Sequence, residues 1–201
     1  VRMLTLTWNY ENGIGYPNFQ LIEGETPNFQ NPNTISGLTE FGIDFIHEME
    51  RLGMIIDVSH LSDAGFYQVL KNTTKPFVAS HSNARQKCNH VRNLTDDMIR
   101  KLADRGGVIG MNYCPSFLYD VKTEEEAVGT IDAIVDNIKH IVLVGGYECV
   151  GLGSDYDGIP SHKELPDASY LPLLAEALRN AGMKQHEIEA IFNKNVLRLY
   201  K

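Results

Sequence analysis

Short, nearly continuous apolar runs alternate with stretches of helical periodicity along this chain. The runs Arg2–Thr7, Met54–Val58, Pro76–Ser80, Gly107–Asn112 and Glu148–Gly153 have strand length and lack the alternation of a half-exposed strand, so strands covered on both faces are expected there. Between the first two, Leu38, Phe41, Phe45, Met49 and Leu52 recur at helical spacing and stop before Gly53, a residue suited to the left-handed turn that ends a helix. A shorter helix is expected after Ser62. Thr95 precedes Asp96 and Asp97, acids that favour the positive end of a helix, and Ile99 and Leu102 carry that stripe to Gly106 and Gly107. Thr123 and Glu126 form a capping-box pattern that opens a helix striped by Ala127, Ile131, Ile134, Ile138 and Val142. Two more helices are expected around Leu173–Ala181 and His186–Leu199.

Strand and helix in alternation imply an α/β fold of parallel strands joined by right-handed crossovers, either an open doubly wound sheet or a (β/α) barrel. Residues 1–201 read as a single domain. Asn9–Gly37, rich in Asn, Pro, Gly and Glu, is long for a passive connection, and a substrate-enclosing loop and a surface excursion both fit it. Within it Tyr16-Pro17-Asn18-Phe19-Gln20 and Thr26-Pro27-Asn28-Phe29-Gln30 echo each other, too few copies for a repeat architecture.

Composition narrows the partners. The chain has 18 Lys and Arg against 26 Asp and Glu, a formal charge of −8 that repels nucleic acid and anionic membrane surfaces. No apolar run approaches the ~20 residues that span a bilayer. The 3 cysteines, Cys88, Cys114 and Cys149, form no C-x-x-C pair, so no disulfide framework is indicated and a reducing, cytoplasmic setting is expected. Gly151-Leu152-Gly153 follows a strand without the third glycine of a dinucleotide fingerprint, and no phosphate-binding G-x-x-x-x-G-K-[ST] occurs. Asn72-Thr73-Thr74 and Asn93-Leu94-Thr95 match the glycosylation tripeptide, a pattern frequent by chance, and receive no role.

The candidate chemistry lies at strand ends. Asp57 and His60 close the second run, His81 the third, Asn112 the fourth, and Asp155 and Asp157 the fifth. In parallel α/β folds the C-terminal edge of the sheet hosts the active site. Two histidines on neighbouring strands with a carboxylate nearby suit a zinc-type centre that makes bound water acidic. Taken singly, each histidine also reads as a hydrogen-bonded strand-end residue. Asp57, inside its strand, is expected to orient a neighbour rather than bind metal, and only one of Asp155 and Asp157 can face the pocket. His47, His140, His162 and His186 are expected at the surface, and His90, near Arg92, is undecided.

Leu4-Thr5-Leu6-Thr7-Trp8-Asn9, Ile56-Asp57-Val58-Ser59-His60, Ser80-His81-Ser82-Asn83-Ala84-Arg85, Arg92-Asn93-Leu94-Thr95-Asp96-Asp97 and Gly153-Ser154-Asp155-Tyr156-Asp157-Gly158 together resemble the membrane dipeptidase (renal dipeptidase) family of zinc peptidases. The likeness runs in order over essentially the whole chain, and is to a microbial-type member without a lipid anchor. It implies a (β/α)8 TIM barrel with two zinc ions bridged by a carboxylate and a hydroxide. It assigns His60 and His81 to the second zinc, Asp155 to the acid that shuttles a proton to the leaving amine, and Arg92 to the C-terminal carboxylate of a dipeptide, leaving Arg85 as a neighbour.

Two departures shape the expectation. Animal members place an oxyanion-stabilising histidine where this chain has Trp8, so that role stays unassigned and Trp8 and Asn9 are expected to line the substrate pocket. The family's H-x-D motif on the first strand and its bridging glutamate on the third have no counterpart in the sequence. The five runs then correspond to strands four to eight, a partial barrel with at most one partial metal site, its edges closed by N-terminal strands outside this chain. The leading expectation is zinc-dependent dipeptide hydrolysis by the intact protein, the 201-residue chain alone being inactive. The alternatives are a related amidohydrolase acting on a cyclic amide or lactam, and a catalytically inactive fragment with a binding or structural role. Monomer and homo-oligomer are both open.

Overall fold

The computed structural model describes residues 1–20, 24, 26, 28–120, 129–160 and 162–201. Each apolar run contains a strand: β1 (Met3–Thr5), β2 (Ile55–Asp57), β3 (Val78–Ala79), β4 (Val108–Met111) and β5 (Val150–Leu152). They form one parallel sheet in the order β1-β2-β3-β4-β5. Each strand lies beside its predecessor and the order never reverses, as in an arc of a barrel and unlike a doubly wound sheet with its switch point. The strands are shorter than the runs. Tyr147–Cys149, for example, coil into a 3-10 turn that delays β5 to Val150.

Capping side chains set where the helices begin. In α1 (Glu40–Arg51), α2 (Asp63–Asn72), α3 (Asp96–Asp104) and α4 (Ile131–Gly145), the hydroxyls of Thr39, Ser62, Thr95 and Thr130 accept from backbone N–H groups of the first turn. Each such cap contributes about 1 kcal/mol. Gly53 and Gly106, at φ 69° and 77°, follow α1 and α3 as the sequence suggests. The Thr123–Glu126 pattern and Ala127 lie outside the described residues, and α4 as described opens from Thr130.

α5 (Leu171–Asn180) forms where a helix is expected, whereas His186–Leu199 is not one uniform helix. α6 (Gln185–Glu189) widens into a π-turn over Ala190–Lys194 and then tightens. That widening accompanies a tertiary anchor: the Asn195 amide donates to Tyr147 O at 2.7 Å and Val150 O at 2.8 Å, tying the last turns to the start of β5.

Strand alternation divides the core. Ile56, Ala79, Ile109 and Val150 face the helices, packing with Ile46, Phe66, Ile99 and Ile138. Ile55, Val78 and Val108 share the opposite face with Val196 and Leu199. β2, β3 and β4 are buried throughout, while β1, paired on one side to β2, leaves Met3 37% exposed. At the C-terminal ends the strands crowd together: a Cβ on Gly110 or Gly153 would stand 1.9 or 2.0 Å from Ser80 O. Only glycine permits that approach, which sets β4 and β5 against the residue preceding His81.

Candidate active site

The segments that follow β1, β2, β4 and β5 line one cleft of about 390 Å³, among them Trp8, His60, Cys114 and Asp155, joined by Arg92 from beyond β3. His60 and Asp155 are the non-glycine residues with left-handed backbones among those described, at φ 70° and 65°. Such a conformation costs about 1–2 kcal/mol per residue and persists where surrounding structure enforces it, commonly at functional sites.

The two sequence-nominated histidines meet. His60 Nε2 stands 2.9 Å from His81 Nε2. His60 Nδ1 contacts Asn9 Oδ1 at 2.8 Å, an acceptor, so that ring carries its proton on Nδ1. The Ser80 hydroxyl lies 2.7 Å from His81 Nδ1 and 2.5 Å from Asp57 Oδ2. A carboxylate only accepts, so Ser80 donates to Asp57 and must accept from His81 Nδ1. Both Nε2 atoms therefore present lone pairs to each other.

Two facing lone pairs at this distance repel unless a cation lies between them. Tetrahedral imidazole–zinc bonds of about 2.0–2.1 Å separate two nitrogens by about 3.3–3.4 Å, so a small widening of the 2.9 Å pair lets both lone pairs converge on a metal ion. Burial first, and then Arg92 and His81, push His60 down to about 2, which keeps it neutral. His81 is also lowered, by burial and Arg92, with Asp57 and Asp155 opposing. Among the described residues no group of three or more His, Cys, Asp or Glu is gathered to hold a metal.

Asp57 behaves as the orienting residue the sequence suggests. Fully buried, it accepts from Thr5 Oγ1 at 2.6 Å, Ser59 N at 3.0 Å, and Ser80 N and Oγ at 2.8 and 2.5 Å. Asn9 lines the cleft, and its side-chain oxygen engages His60. Trp8 is 59% exposed at the cleft wall. Of the two acids after β5, Asp155 faces the cleft and accepts from the Asn112 amide at 3.0 Å, whereas Asp157 is exposed.

The two arginines separate sharply. Arg85 forms a two-pronged ion pair with Asp63, at 2.7 and 2.8 Å, and also donates to Asn93 O. Arg92 is only 4% exposed, yet its guanidinium makes a single long bond among the described residues, 3.3 Å to His81 O. Burial lowers it to about 10, with Asp155 and Asp57 opposing, so it is charged at neutral pH. A buried cation with so few bonds is suited to a two-pronged anionic ligand.

His90, undecided from sequence, is a cleft residue. Its Nδ1 accepts from Arg92 N at 3.1 Å, and its ring lies between Phe29, stacked at 4.9 Å, and Phe117 at 4.4 Å. Phe19 and Phe29, the matching positions of the echoed segments, meet edge to face at 4.9 Å and line the cleft. Asn9, Phe19 and Phe29 of the Asn9–Gly37 segment thus form part of the cleft wall, held where the Asn18 amide donates to Asp63 and to Val91 O, both at 2.7 Å. No local sequence signal marks Phe29 or His90, because their meeting depends on a contact between distant segments, where Val91 N donates to Phe29 O at 2.8 Å.

The remaining histidines mostly lie where expected. His47 and His186 are exposed, and His140 pairs with Asp96 at 2.8 Å. His162, expected at the surface, is instead buried, its Nδ1 accepting from the backbone of Glu164 and Leu165. The backbone that follows it turns back onto the ring, which composition alone does not foretell.

The membrane dipeptidase family (peptidase family M19) matches residues 1–201. The chain belongs to this family. An uncharacterized dipeptidase of Schizosaccharomyces pombe is 37% identical over 203 residues, covering 100% of this chain and 46% of that protein. An uncharacterized Klebsiella pneumoniae protein encoded in the pqqA 5' region is 37% identical over 202 residues, 100% of this chain and 72% of its own length. A Rhodobacter sphaeroides metallo peptidase, solved with a phosphinate mimic of L-Ala-D-Ala, superposes with TM-score 0.86 at 27% identity, covering 99% of this chain and 55% of that one. The family M19 dipeptidase AC superposes with TM-score 0.87 at 28% identity, over 99% and 57%. The chain thus spans about half the length of several family members it matches, and metal-dependent peptide hydrolysis is the chemistry of the family. No helix among the described residues is long and apolar enough to cross a membrane.

Proposed function

We propose that this chain carries the substrate-anchoring and one metal-binding part of a zinc-dependent dipeptidase built as a TIM barrel. The reading rests on one observation above all: His60 and His81 point unprotonated Nε2 atoms at each other across 2.9 Å, in a cleft beside a buried, sparsely bonded arginine. Imidazole lone pairs of this kind suit zinc. When bound, the metal supplies Lewis acidity and a water acidic enough to ionise near neutral pH. Zinc normally takes at least three protein ligands. The greater length of the relatives supports their being completed by residues beyond these 201.

Arg92 holds the substrate's free carboxylate and so fixes which peptide bond meets the metal. Asp155, positioned by Asn112, takes the attacking water's proton on a carboxylate oxygen and passes it to the departing amine. Asn9 and Ser80 keep the imidazole protons on Nδ1. Trp8 walls the cleft. The ligand of the Rhodobacter sphaeroides relative, a mimic of L-Ala-D-Ala, supports a dipeptide substrate.

The test uses the full-length protein. Zinc content and Ala-Ala hydrolysis are measured for the wild type and for His81→Ala. Loss of zinc together with turnover is expected, and unchanged zinc and turnover in the variant would overturn the reading.

A further inference from the structure

The cleft has two chemically distinct parts. His60, Arg92 and Asp155 form the polar part, whereas Phe19, Phe29, His90 and Phe117 form a continuous aromatic cluster: Phe19 on Phe29 at 4.9 Å, Phe29 on His90 at 4.9 Å and His90 on Phe117 at 4.4 Å. The cluster abuts the polar part where the Arg92 guanidinium lies 5.7 Å from the Phe117 ring centre. His90 belongs to the apolar side electrically as well. Its Nδ1 accepts from the Arg92 backbone N–H, so the ring is the neutral tautomer protonated on Nε2. The other nearby cation, Arg85, is occupied by Asp63. The aromatic part thus offers large apolar faces and, among the described residues, no available positive charge.

We propose that this cluster is the subsite for the side chain of the substrate's carboxyl-terminal residue, and that it selects aromatic and large aliphatic side chains over acidic ones. The inference rests on the dipeptidase reading, because Arg92 holding the terminal carboxylate is what brings that residue's side chain against Phe117 and His90. An apolar side chain there leaves water for aromatic surface and gains ring contacts. An acidic one loses hydration and meets no free cation among the described residues. Phe29 does the most to shape the subsite, since it packs on His90 from the Asn9–Gly37 loop, a segment whose sequence can vary without disturbing the strands.

Full-length protein is assayed with Ala-Gly, Ala-Leu, Ala-Phe and Ala-Asp. The expected kcat/KM for Ala-Phe and Ala-Leu exceeds that for Ala-Gly by about tenfold and that for Ala-Asp by more, the difference residing mainly in KM. Phe29→Ala should bring the Ala-Phe to Ala-Gly ratio down towards one. Phe117→Leu, which keeps an apolar wall, serves the same comparison if Phe29→Ala fails to fold. Hydrolysis of all four peptides at similar efficiency, or a preference for Ala-Asp, would overturn the subsite while leaving the dipeptidase reading intact. No turnover of any of them would overturn both.

Discussion

Ser80 donates its hydroxyl proton to Asp57 across 2.5 Å and is thereby obliged to accept from His81. A residue with no reach to the cleft, Asp57, thus decides which nitrogen of His81 carries the lone pair that a metal needs. Ser80→Ala removes the link while leaving Asp57 three donors, Thr5 Oγ1 and the backbone N–H groups of Ser59 and Ser80. The variant should fold, and its zinc affinity, read by chelator competition, should fall about 10- to 100-fold, as for other partners that orient a ligand.

Arg85 and Arg92 should respond oppositely to removal. Arg85→Met strands the Asp63 carboxylate, which is buried, and should lower unfolding stability by about 3 kcal/mol in urea titration. Its effect on KM should be small. Arg92→Met deletes a buried cation with one weak bond, so stability should hold while KM for dipeptides rises at least tenfold. A rise in KM confined to the Arg85 variant would reverse the assignment of the anchor.

Asp155→Asn separates proton transfer from structure. Asn tolerates the left-handed backbone that Asp155 adopts at φ 65° and keeps a side-chain oxygen for the Asn112 amide. Turnover should drop at least about 100-fold with KM and zinc content little changed, since positioned proton transfer contributes about 10²–10⁴.

What the sequence discloses follows the range of the interactions concerned. The strand ends carrying His60, His81 and Asp155 are legible because the period of burial stops abruptly at a polar residue, and the caps Ser62 and Thr95 act within four residues of themselves, whereas Thr39 and Thr130 emerge from the structure. Asp57 reads as an orienting residue because a carboxylate inside a buried strand must find donors nearby. His162 and the π-turn at Ala190–Lys194 escape notice because each depends on contacts between distant segments. The aromatic wall escapes for the same reason: Phe29 and His90 are far apart in the chain, and their stacking follows from Asn18 bonding to Asp63 and to Val91 O.

His90 makes stability sensitive to acid. Burial first, and then Arg92 and Arg85, push it down to about 3, from an ordinary imidazole value of 6.5. Between those two values the unfolded chain binds a proton at His90 and the folded chain does not. Stability therefore rises with pH through that window, being fully present above 6.5 and lost progressively as pH falls towards 3. His60 and His81, also lowered, add to the slope with the same sign. In His90→Phe the ring stacking on Phe29 and Phe117 can persist while the proton site is gone. Urea titrations of the metal-free protein at pH about 7 and about 5 should show the wild type losing about 1–2 kcal/mol more than this variant. Equal losses would mean that His90 is protonated as readily in the folded chain as in the unfolded one, and that it faces water rather than the aromatic wall.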